Sequence, residues 1–282
     1  MSILCTQTTV PYAEEWISKF AAFARLDWLT VFFKGATFFG EETFYIGAVV
    51  LALHLVKRRT AVQLALLVVG MGLINSWLKG WFQECRPFSV EHLQVVKGFS
   101  FPSGHAQVGG AFWGFLMWRA PKAWQKILLF VWILLIALSR PYLGVHFFHD
   151  VGIGLVLGLS LSWVFSHWGD KILDYPRLSM FVLAGAAPLC FMNPRESFKI
   201  LGAFAGLLIG WHEFHRLDPS EESFSWKQRF VSLISSGIAL VVFFTSKELS
   251  LLNEETWGLI RYFVLCYWIS FLSPFLASKV SG

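Results

Sequence analysis

The sequence predicts an all-α integral membrane protein, a polytopic bundle of transmembrane helices that forms one domain over residues 1–282. Of the 282 residues, 56% are hydrophobic and 17% aromatic. Only 15% are charged, whereas an ordinary globular domain carries about 25% charged residues. Apolar stretches recur along the whole length and are separated by short polar gaps, which leave no room for a separate soluble domain.

Nine stretches are candidate spans, because crossing a bilayer takes about 20 mostly apolar residues and somewhat fewer where flanking residues snorkel. The first, sixth and seventh are short or polar at their ends, so eight spans remain an alternative. Before them, residues 11–39 mix Glu14 and Glu15 with Trp16 and Phe20, a pattern that predicts an interfacial helix. The predicted spans are 43–56, 61–82, 103–118, 124–139, 149–167, 179–192, 198–213, 230–246 and 257–277. Those within 61–167 form the core of the domain, and those within 179–277 are additional C-terminal spans.

Charge and cysteine patterns exclude several classes of protein. The net charge of +5 is modest and its basic residues are scattered, so we expect no nucleic-acid partner. The N-terminus lacks the basic and apolar regions of a cleaved signal peptide. The four cysteines show no spacing typical of a zinc site or a disulfide framework, and we expect them to be packing residues; they are Cys5, Cys85, Cys190 and Cys266.

The distribution of lysine and arginine predicts the orientation, because loops on the cytoplasmic side are enriched in them. The first short loop is dense in positive charge, with Lys57, Arg58 and Arg59 in succession. Assigning that loop to the cytoplasm places the N-terminus outside. It also places three polar constellations, at residues 79–87, 102–105 and 139–150, on the opposite face, toward the periplasm, the cell exterior or an organelle lumen.

Three of these polar residues are cations at span ends: Lys79, Arg86 and Arg140. Ionisable residues are costly near a low-dielectric medium and usually face a partner, a cavity or a ligand. A dianionic phosphate would satisfy all three, since arginine matches its oxygens in bidentate geometry and lysine acts as a point charge. The alternative for each residue alone is a snorkelling side chain.

The second constellation begins a helix. Ser103 is a plausible N-cap, and Gly104 lets the backbone approach a ligand. Free N–H groups and the helix dipole at such a start form an anion site. A cap alone would explain these two residues but not His105, which follows them.

The third constellation pairs His146 with Asp150, four residues apart and therefore on one helix face. The carboxylate can hold one ring nitrogen and leave the other free to attack phosphorus. A structural hydrogen bond is the common alternative for such a pair. His149 suggests a metal site of the HxxH type, but no further ligands are suitably spaced, so we expect no metal. On the residues alone, either His146 or His105 can be the nucleophile.

These residues resemble the type 2 phosphatidic acid phosphatase superfamily, which includes glucose-6-phosphatase and the vanadium haloperoxidases. Its signature is KxxxxxxRP, PSGH and SRxxxxxHxxxD, matched here by KGWFQECRP at 79–87, PSGH at 102–105 and SRPYLGVHFFHD at 139–150. The resemblance implies a metal-independent phosphatase without a cofactor, in which His146 forms a phosphohistidine and His105 protonates the leaving alcohol. It further implies that Lys79, Arg86, Arg140 and the backbone at Ser103 and Gly104 bind the phosphoryl oxygens.

The expected function is hydrolysis of a phosphate monoester, with a phosphorylated lipid as substrate and membrane lipids as neighbours. An active site between apolar walls at a membrane face suits an amphiphile. A sugar-phosphate phosphatase of the glucose-6-phosphatase type is the alternative, suggested by the span count alone. An anion transporter or membrane scaffold is a third class, although complete acid, base and nucleophile placement exceeds what binding requires. The oligomeric state stays open.

Overall fold

A computed structural model describes residues 11–192, 194–217, 224–246, 249 and 252–280. Its regular elements over these residues are all helical, which confirms the predicted all-α class. The helices are α1 (Pro11–Ala24), α2 (Asp27–Phe38), α3 (Glu42–Leu55), α4 (Arg58–Phe82), α5 (Gly104–Arg119), α6 (Ala123–Tyr142), α7 (Phe148–Asp174), α8 (Pro176–Ala186) followed by a 3₁₀ segment (Ala187–Met192), α9 (Pro194–Leu217), α10 (Trp226–Thr245), α11 (Glu254–Tyr267) continuing through a π segment (Trp268–Leu272), and α12 (Ser273–Ser278).

Five helical stretches in the described residues are long and apolar enough to cross a membrane: α4, α6, α7, α10 and the continuous run Glu254–Ser278. A sixth arises if α2 and α3, bent by 48° at their junction, form one broken span. Every predicted span coincides with a helix, but the count of nine is not confirmed. The main reason is length: α5 has 16 residues, about 24 Å of helix against the roughly 30 Å of a bilayer core.

The N-terminal segment forms two helices where the sequence predicts one. The chain leaves helical geometry at Arg25 and Leu26, between α1 and α2. Glu14 in α1 is buried, and its carboxylate accepts hydrogen bonds from the backbone N–H groups of Phe88 (3.3 Å) and Ser89 (3.1 Å). The first helix therefore anchors the loop that follows α4. Its location at a membrane interface stays a prediction.

The chain divides into two compact units. Unit 1 comprises Met1–Tyr45 and Ile74–His167, and unit 2 comprises Ile46–Leu73 and Trp168–Gly282. All eight predicted site residues belong to unit 1. The single domain predicted over residues 1–282 stays a prediction.

Small residues let α5 and α7 approach closely within unit 1. A Cβ atom added at Gly110 would lie 3.6 Å from the backbone of Gly158, and one at Gly114 would lie 2.6 Å from the Ser162 hydroxyl. Such small residues four apart are a common device for packing helices in membranes. This contact brings the first turns of α5 and α7, which carry two of the three signature segments, side by side.

Unit 2 uses the same device where α9 packs against α11. Gly202, Gly206 and Gly210 are spaced by four residues along α9, and a side chain at any of them would collide with the helix opposite. The sequence alone predicts only additional spans in this region. The glycine stripe indicates a tightly packed helix pair.

The cysteines behave differently from one another. Cys190 and Cys266 are free and at least partly buried, in agreement with packing roles. Cys85, next to Arg86, is disulfide-bonded, so the prediction that the cysteines are packing residues is wrong at this position. Cys5 lies outside the described residues. Spacing alone could not reveal a bridge, because a disulfide requires proximity in space and not in sequence.

Candidate active site

The three signature segments converge within unit 1. Lys79 lies in the last turn of α4, and Arg86 lies in the loop that follows. Ser103, Gly104 and His105 occupy the start of α5. Arg140 belongs to the last turn of α6, whereas His146 and Asp150 flank the beginning of α7.

The centre of the site is the pair His146 and Asp150. Nδ1 of His146 lies 3.2 Å from Oδ2 of Asp150, and the two side chains are 3% and 0% exposed. The same carboxylate oxygen accepts the backbone N–H of Phe147 at 2.9 Å and the hydroxyl of Ser100 at 2.5 Å. Three groups thus hold the Asp150 carboxylate, which in turn orients the imidazole ring.

The other ring nitrogen of His146 faces Arg86. Nη1 of Arg86 lies 3.1 Å from Nε2 of His146, in hydrogen-bond contact. Arg86 is itself fixed, because its guanidinium donates to the carbonyl oxygens of Val145 (2.8 Å), Gly98 (3.0 Å) and Lys97 (3.1 Å). If Arg86 is the donor, Nε2 carries the lone pair and Nδ1 carries the proton.

Burial sets the charges of these two groups. It lowers the pKa of Arg86 to about 10, which still leaves the guanidinium protonated at neutral pH. Burial is also the main cause that lowers the pKa of His146 well below its usual value. The imidazole is therefore neutral at pH 7, which is the state that can attack phosphorus.

Lys79 holds the loop that carries Ser100. Its ammonium group donates to the carbonyl oxygens of Phe99 at 2.6 Å and Ser100 at 3.0 Å. Asn75, one turn earlier on α4, donates to the carbonyl oxygen of Pro102 at 3.1 Å. Because both residues form hydrogen bonds to the segment before α5, α4 determines where the second signature segment lies.

Arg140 enters the site from α6 and is only 1% exposed. Its Nη1 donates to the hydroxyl of Thr37 at 2.5 Å and to the side-chain oxygen of Gln94 at 2.7 Å. Gln94 donates in turn to Glu41 at 3.1 Å. Among the described residues, Nε of Arg140 has no hydrogen-bond partner, so this guanidinium keeps a donor for a ligand.

The start of α5 differs in part from the prediction. Ser103 is the N-cap residue by position, but its hydroxyl makes no cap hydrogen bond. Its backbone N–H is not free either, because it donates to the carbonyl oxygen of Asp150 at 3.1 Å. The buried Ser103 hydroxyl and Nε2 of His105 have no protein partner in the described part of the chain. The Ser103 backbone N–H is therefore engaged, whereas these two side-chain atoms are available to a ligand.

His105 lies within the same electrostatic cluster, since the charges of Arg140, Arg86 and Lys79 all act on it. Gly40 lies against the His105 ring: a Cβ atom there would come within 2.8 Å of Cδ2 of His105. The predicted site residues are thus brought together. The close approach of the α2–α3 turn to His105 requires a glycine at position 40.

A group of potential metal ligands adjoins the site. Nε2 of His149 lies 3.1 Å from Oδ1 of Asp150 and 3.3 Å from Oε2 of Glu84. The donor atoms of these three residues all lie within 4.8 Å of one another. His149 is thus grouped with two carboxylates, whereas the HxxH hypothesis paired it with His146.

Several residues around the site were not found from the sequence. Asn75 had a signal, because it lies four residues before Lys79 on an otherwise apolar helix and so shares its face. Glu84 lies at a variable position of the first signature segment, 79–87. The others lie outside the signature segments; they are Thr37, Gly40, Glu41, Gln94 and Ser100.

A buried histidine and aspartate thus lie beside a cluster of cations in a bundle whose apolar helices are long enough to cross a membrane, which defines a membrane protein with a candidate site for an anionic group. Family models agree with it: residues 60–174 match the PAP2 superfamily, and residues 198–281 match the transmembrane extension of PAP2 superfamily phosphatases. The chain belongs to the PAP2 superfamily and is a membrane phosphatase of that family.

Individual relatives give the same result. A phosphatidylglycerophosphatase B of Bacillus subtilis is 34% identical over 176 residues, covering 58% of this chain and 86% of the relative. An undecaprenyl-diphosphatase of Sulfolobus acidocaldarius is 31% identical over 149 residues, covering 50% of this chain and 68% of the relative. The crystal structure of a PAP2-type phosphatidylglycerolphosphate phosphatase from Bacillus subtilis matches with a TM-score of 0.52 and 31% identity, covering 59% of this chain and 89% of that structure.

Proposed function

We propose that this protein hydrolyses the phosphate ester of a membrane lipid through a phosphohistidine on His146, at a site open to the non-cytoplasmic side. The observation that carries the proposal is the placement of His146. One ring nitrogen lies against the Asp150 carboxylate, and the other lies against the guanidinium of Arg86. A phosphoryl group bound by Arg86 would therefore lie beside the nucleophilic nitrogen.

In the first step, Nε2 of His146 attacks phosphorus, and the bond from phosphorus to the ester oxygen breaks with its electron pair on oxygen. The imidazole becomes positive as the N–P bond forms. Asp150 stabilises that charge and keeps the proton on Nδ1, as the aspartate does in hydrolytic triads. Ser100 and the Phe147 N–H keep the carboxylate in place.

The cations stabilise the negative charge of the transition state. Arg86 and Arg140 are both held by hydrogen bonds before substrate binds, so little reorganisation is required during the reaction. Preorganised donors of this kind are commonly the largest contribution to catalysis. Lys79 adds a third positive charge and holds the loop around Ser100.

His105 is suited to transfer the proton. Among the described residues its buried Nε2 has no protein partner, and the negative charge of a bound phosphate would favour the protonated imidazole. A protonated His105 gives its Nε2 proton to the leaving alkoxide. In the second step, water attacks phosphorus, its proton returns to His105, the N–P bond breaks and inorganic phosphate leaves.

Two independent features support a non-cytoplasmic site. The basic loop of Lys57, Arg58 and Arg59 favours the cytoplasm for the beginning of α4. Cys85 lies next to Arg86 and is disulfide-bonded, and disulfides persist in the periplasm, at cell surfaces and in the secretory lumen. Both features support a non-cytoplasmic location of the Arg86 loop.

The proposed topology has nine crossings, with α1 lying along the membrane interface. Its support is that each predicted span corresponds to a helix, including the short α5. Single cysteines introduced into a background without native cysteines, one in each loop, would test it by labelling intact cells with an impermeant maleimide. Labelling of the loop before α4 from outside would contradict the orientation.

The favoured substrates follow from the relatives, which are named for phosphatidylglycerophosphate and undecaprenyl diphosphate. Phosphate release by detergent-solubilised protein should be measured with these two lipids, with phosphatidate and with glucose 6-phosphate. We expect the lipid substrates to be preferred by at least about tenfold in kcat/KM. A preference for the sugar phosphate would contradict the lipid assignment.

The nucleophile is tested separately. His146→Ala should abolish turnover while the protein keeps its thermal unfolding temperature in detergent. Orthovanadate, a mimic of the trigonal-bipyramidal phosphorus, should inhibit the wild type. Enzyme incubated with ³²P-labelled substrate and quenched in alkaline detergent should carry label that is alkali-stable and acid-labile, as expected of a phosphohistidine. Labelling that persists in His146→Ala would contradict the assignment.

A further inference from the structure

The turn between α2 and α3, residues 39–41, lies against the candidate active site although it belongs to none of the signature segments. A Cβ atom at Gly40 would come within 2.8 Å of Cδ2 of His105, the ring carbon bonded to Nε2. At the end of α2, the buried hydroxyl of Thr37 accepts a hydrogen bond from Nη1 of Arg140 at 2.5 Å. The chain is therefore held against the site on both sides of the α2 end.

The backbone of this turn is fixed by its own hydrogen bonds. The N–H of Gly40 donates to the carbonyl oxygen of Thr37 at 2.9 Å, and that of Glu41 donates to the carbonyl oxygen of Phe38 at 3.1 Å. The carbonyl oxygen of Glu41 accepts from the N–H of Tyr45 at 3.2 Å. Both backbone polar groups of Glu41 are thus engaged, and the turn determines where its side chain begins.

The carboxylate of Glu41 is connected to the site through one amide. Its Oε1 accepts from Nε2 of Gln94 at 3.1 Å, and Oε1 of Gln94 accepts from Nη1 of Arg140 at 2.7 Å. The negative charge of Glu41 also acts on Arg140. Glu41 is partly exposed, and a carboxylate can accept about four hydrogen bonds. The bond to Gln94 therefore leaves acceptor capacity for a ligand.

The proposed mechanism determines which part of a substrate lies beside this turn. The attacking and leaving atoms lie roughly in line on opposite sides of phosphorus, so the leaving oxygen lies away from His146 and next to the proton donor His105. Gly40 adjoins the His105 ring, and Glu41 follows it with its Cα about 3.8 Å further along the chain. The Glu41 carboxylate thus borders the leaving group and not the transferred phosphate.

We propose that Glu41 determines the class of leaving group, by accepting a hydrogen bond from a free hydroxyl near the ester and by repelling a second phosphate. This inference rests on the proposed function. A glycerol-type alcohol carries such a hydroxyl, whereas the leaving group of a diphosphate is itself an anion, which a nearby carboxylate disfavours. The preferred substrate is therefore the phosphate monoester of a hydroxyl-bearing lipid headgroup, and not a lipid diphosphate.

A purely structural role for Glu41 gives a different expectation. If Glu41 served only to hold Arg140 through Gln94, its loss would lower activity on every substrate to the same extent, because every substrate presents the same terminal phosphate. A role at the leaving group changes the ratio between substrates that differ only in that group. Substrate ratios therefore separate the two roles.

Two pairs of lipid substrates provide these ratios, measured as kcat/KM with the purified full-length protein in neutral detergent. Lysophosphatidate and its 2-deoxy analogue differ in one hydroxyl, and farnesyl phosphate and farnesyl diphosphate differ in one phosphate. The wild type should prefer lysophosphatidate about tenfold, the effect of one hydrogen bond to a charged group. It should also prefer farnesyl phosphate over farnesyl diphosphate about tenfold, because like charges at this distance repel.

Glu41→Gln keeps the shape of the side chain and removes its charge. It should reduce the preference for lysophosphatidate to about threefold, since the amide oxygen is a neutral acceptor, and it should abolish the preference for farnesyl phosphate. Glu41→Asp, which keeps the charge on a shorter side chain, should retain the preference for farnesyl phosphate. Glu15→Gln is the matched control, because it removes an exposed carboxylate of the same unit, paired with Lys19 at 2.5 Å, and it should keep both ratios.

Unchanged ratios in Glu41→Gln, or an equal loss of activity on all four substrates, would overturn this inference and leave the proposed function intact. Loss of the preference for farnesyl phosphate in Glu41→Asp would likewise contradict the role of the charge, and this variant carries the test if Glu41→Gln does not fold. A wild type that hydrolyses none of the four substrates would contradict the proposed function itself, and this inference with it.

Discussion

Ser100 donates its hydroxyl hydrogen to Oδ2 of Asp150 over 2.5 Å. The same hydroxyl lies 3.2 Å from Nδ1 of His146, so Ser100 forms a triangle of contacts with His146 and Asp150. Ser100 stands outside all three signature segments. The loop between α4 and α5 thus contributes directly to the orientation of the proposed catalytic pair.

Ser100→Ala should lower kcat about tenfold, the effect of losing one hydrogen bond to a charged group, and leave KM nearly unchanged. The reason is that Ser100 supports Asp150 and does not reach the phosphoryl group in the proposed mechanism. Steady-state kinetics on a lipid phosphate measures both constants. Ser162→Ala is the control, because that buried hydroxyl donates to Leu159 within its own helix.

If Ser100→Ala raised KM and left kcat intact, Ser100 would act on substrate binding and not on the catalytic pair. Ser100→Thr, which keeps the hydroxyl, should recover most of the lost kcat. A loss of kcat as large in Ser162→Ala would indicate a general packing defect.

Periodicity and motif spacing predicted the parts of the site that are local in sequence. The spacing of four residues correctly paired His146 with Asp150, but the two do not share a helix face as predicted, because His146 precedes α7, which begins at Phe148. The apolar background made Lys79 conspicuous. The all-α class could be predicted from composition, because the backbone N–H and C=O groups of a segment within a bilayer must form their hydrogen bonds inside that segment.

The remaining features depend on tertiary contacts that leave no local pattern. Thr37 and Gln94 reach Arg140 from segments 103 and 46 residues away, and each is an ordinary polar residue in its own context. The predicted count of nine spans is not confirmed, because some of the helices, such as α5, are short. The disulfide of Cys85 likewise depends on proximity that spacing does not encode.

Thr37→Val should raise KM by about tenfold and weaken inhibition by orthovanadate to a similar extent. Thr37 holds the buried guanidinium of Arg140 at 2.5 Å, and valine keeps the shape but removes the acceptor, which costs about 1–3 kcal/mol for a charged donor. Thr30→Val is the matched control on the same helix, since the Thr30 hydroxyl bonds to Tyr142 at 2.7 Å and not to the site. Equal effects of the two substitutions would contradict a specific role for Thr37.

Stability should depend on pH through His146. Burial lowers its pKa most, the hydrogen bond to Asp150 opposes that shift, and the charges of Arg86 and Lys79 add to it. The unfolded chain takes up a proton below about pH 6.5, whereas the folded state stays neutral to lower pH. The free energy of unfolding must therefore fall as the pH drops below about 6.5.

Removing the imidazole removes that contribution. Between pH 8 and pH 5, Tm of His146→Gln in detergent should fall less steeply than Tm of the wild type. His167→Gln, a substitution of an exposed histidine, should keep the wild-type slope. Parallel slopes for His146→Gln and the wild type would show that His146 titrates alike in the folded and unfolded chain.

Chelation should leave activity unchanged, although Glu84, His149 and Asp150 place three donors within 4.8 Å. The proposed mechanism draws its positive charge from Arg86, Arg140 and Lys79, and Asp150 is already engaged with His146 and Ser100. The expected result is the same kcat/KM after extensive dialysis against EDTA, and again after addition of Mg²⁺ or Zn²⁺.

As a matched probe, Glu84→Gln removes one donor of the group and should leave kcat within about twofold, the scale of a typical surface substitution. The metal-independent mechanism would be contradicted if chelation abolished activity, Mg²⁺ or Zn²⁺ restored it and Glu84→Gln reproduced the loss. In that case Glu84, Asp150 and His149 would form a required metal centre beside His146.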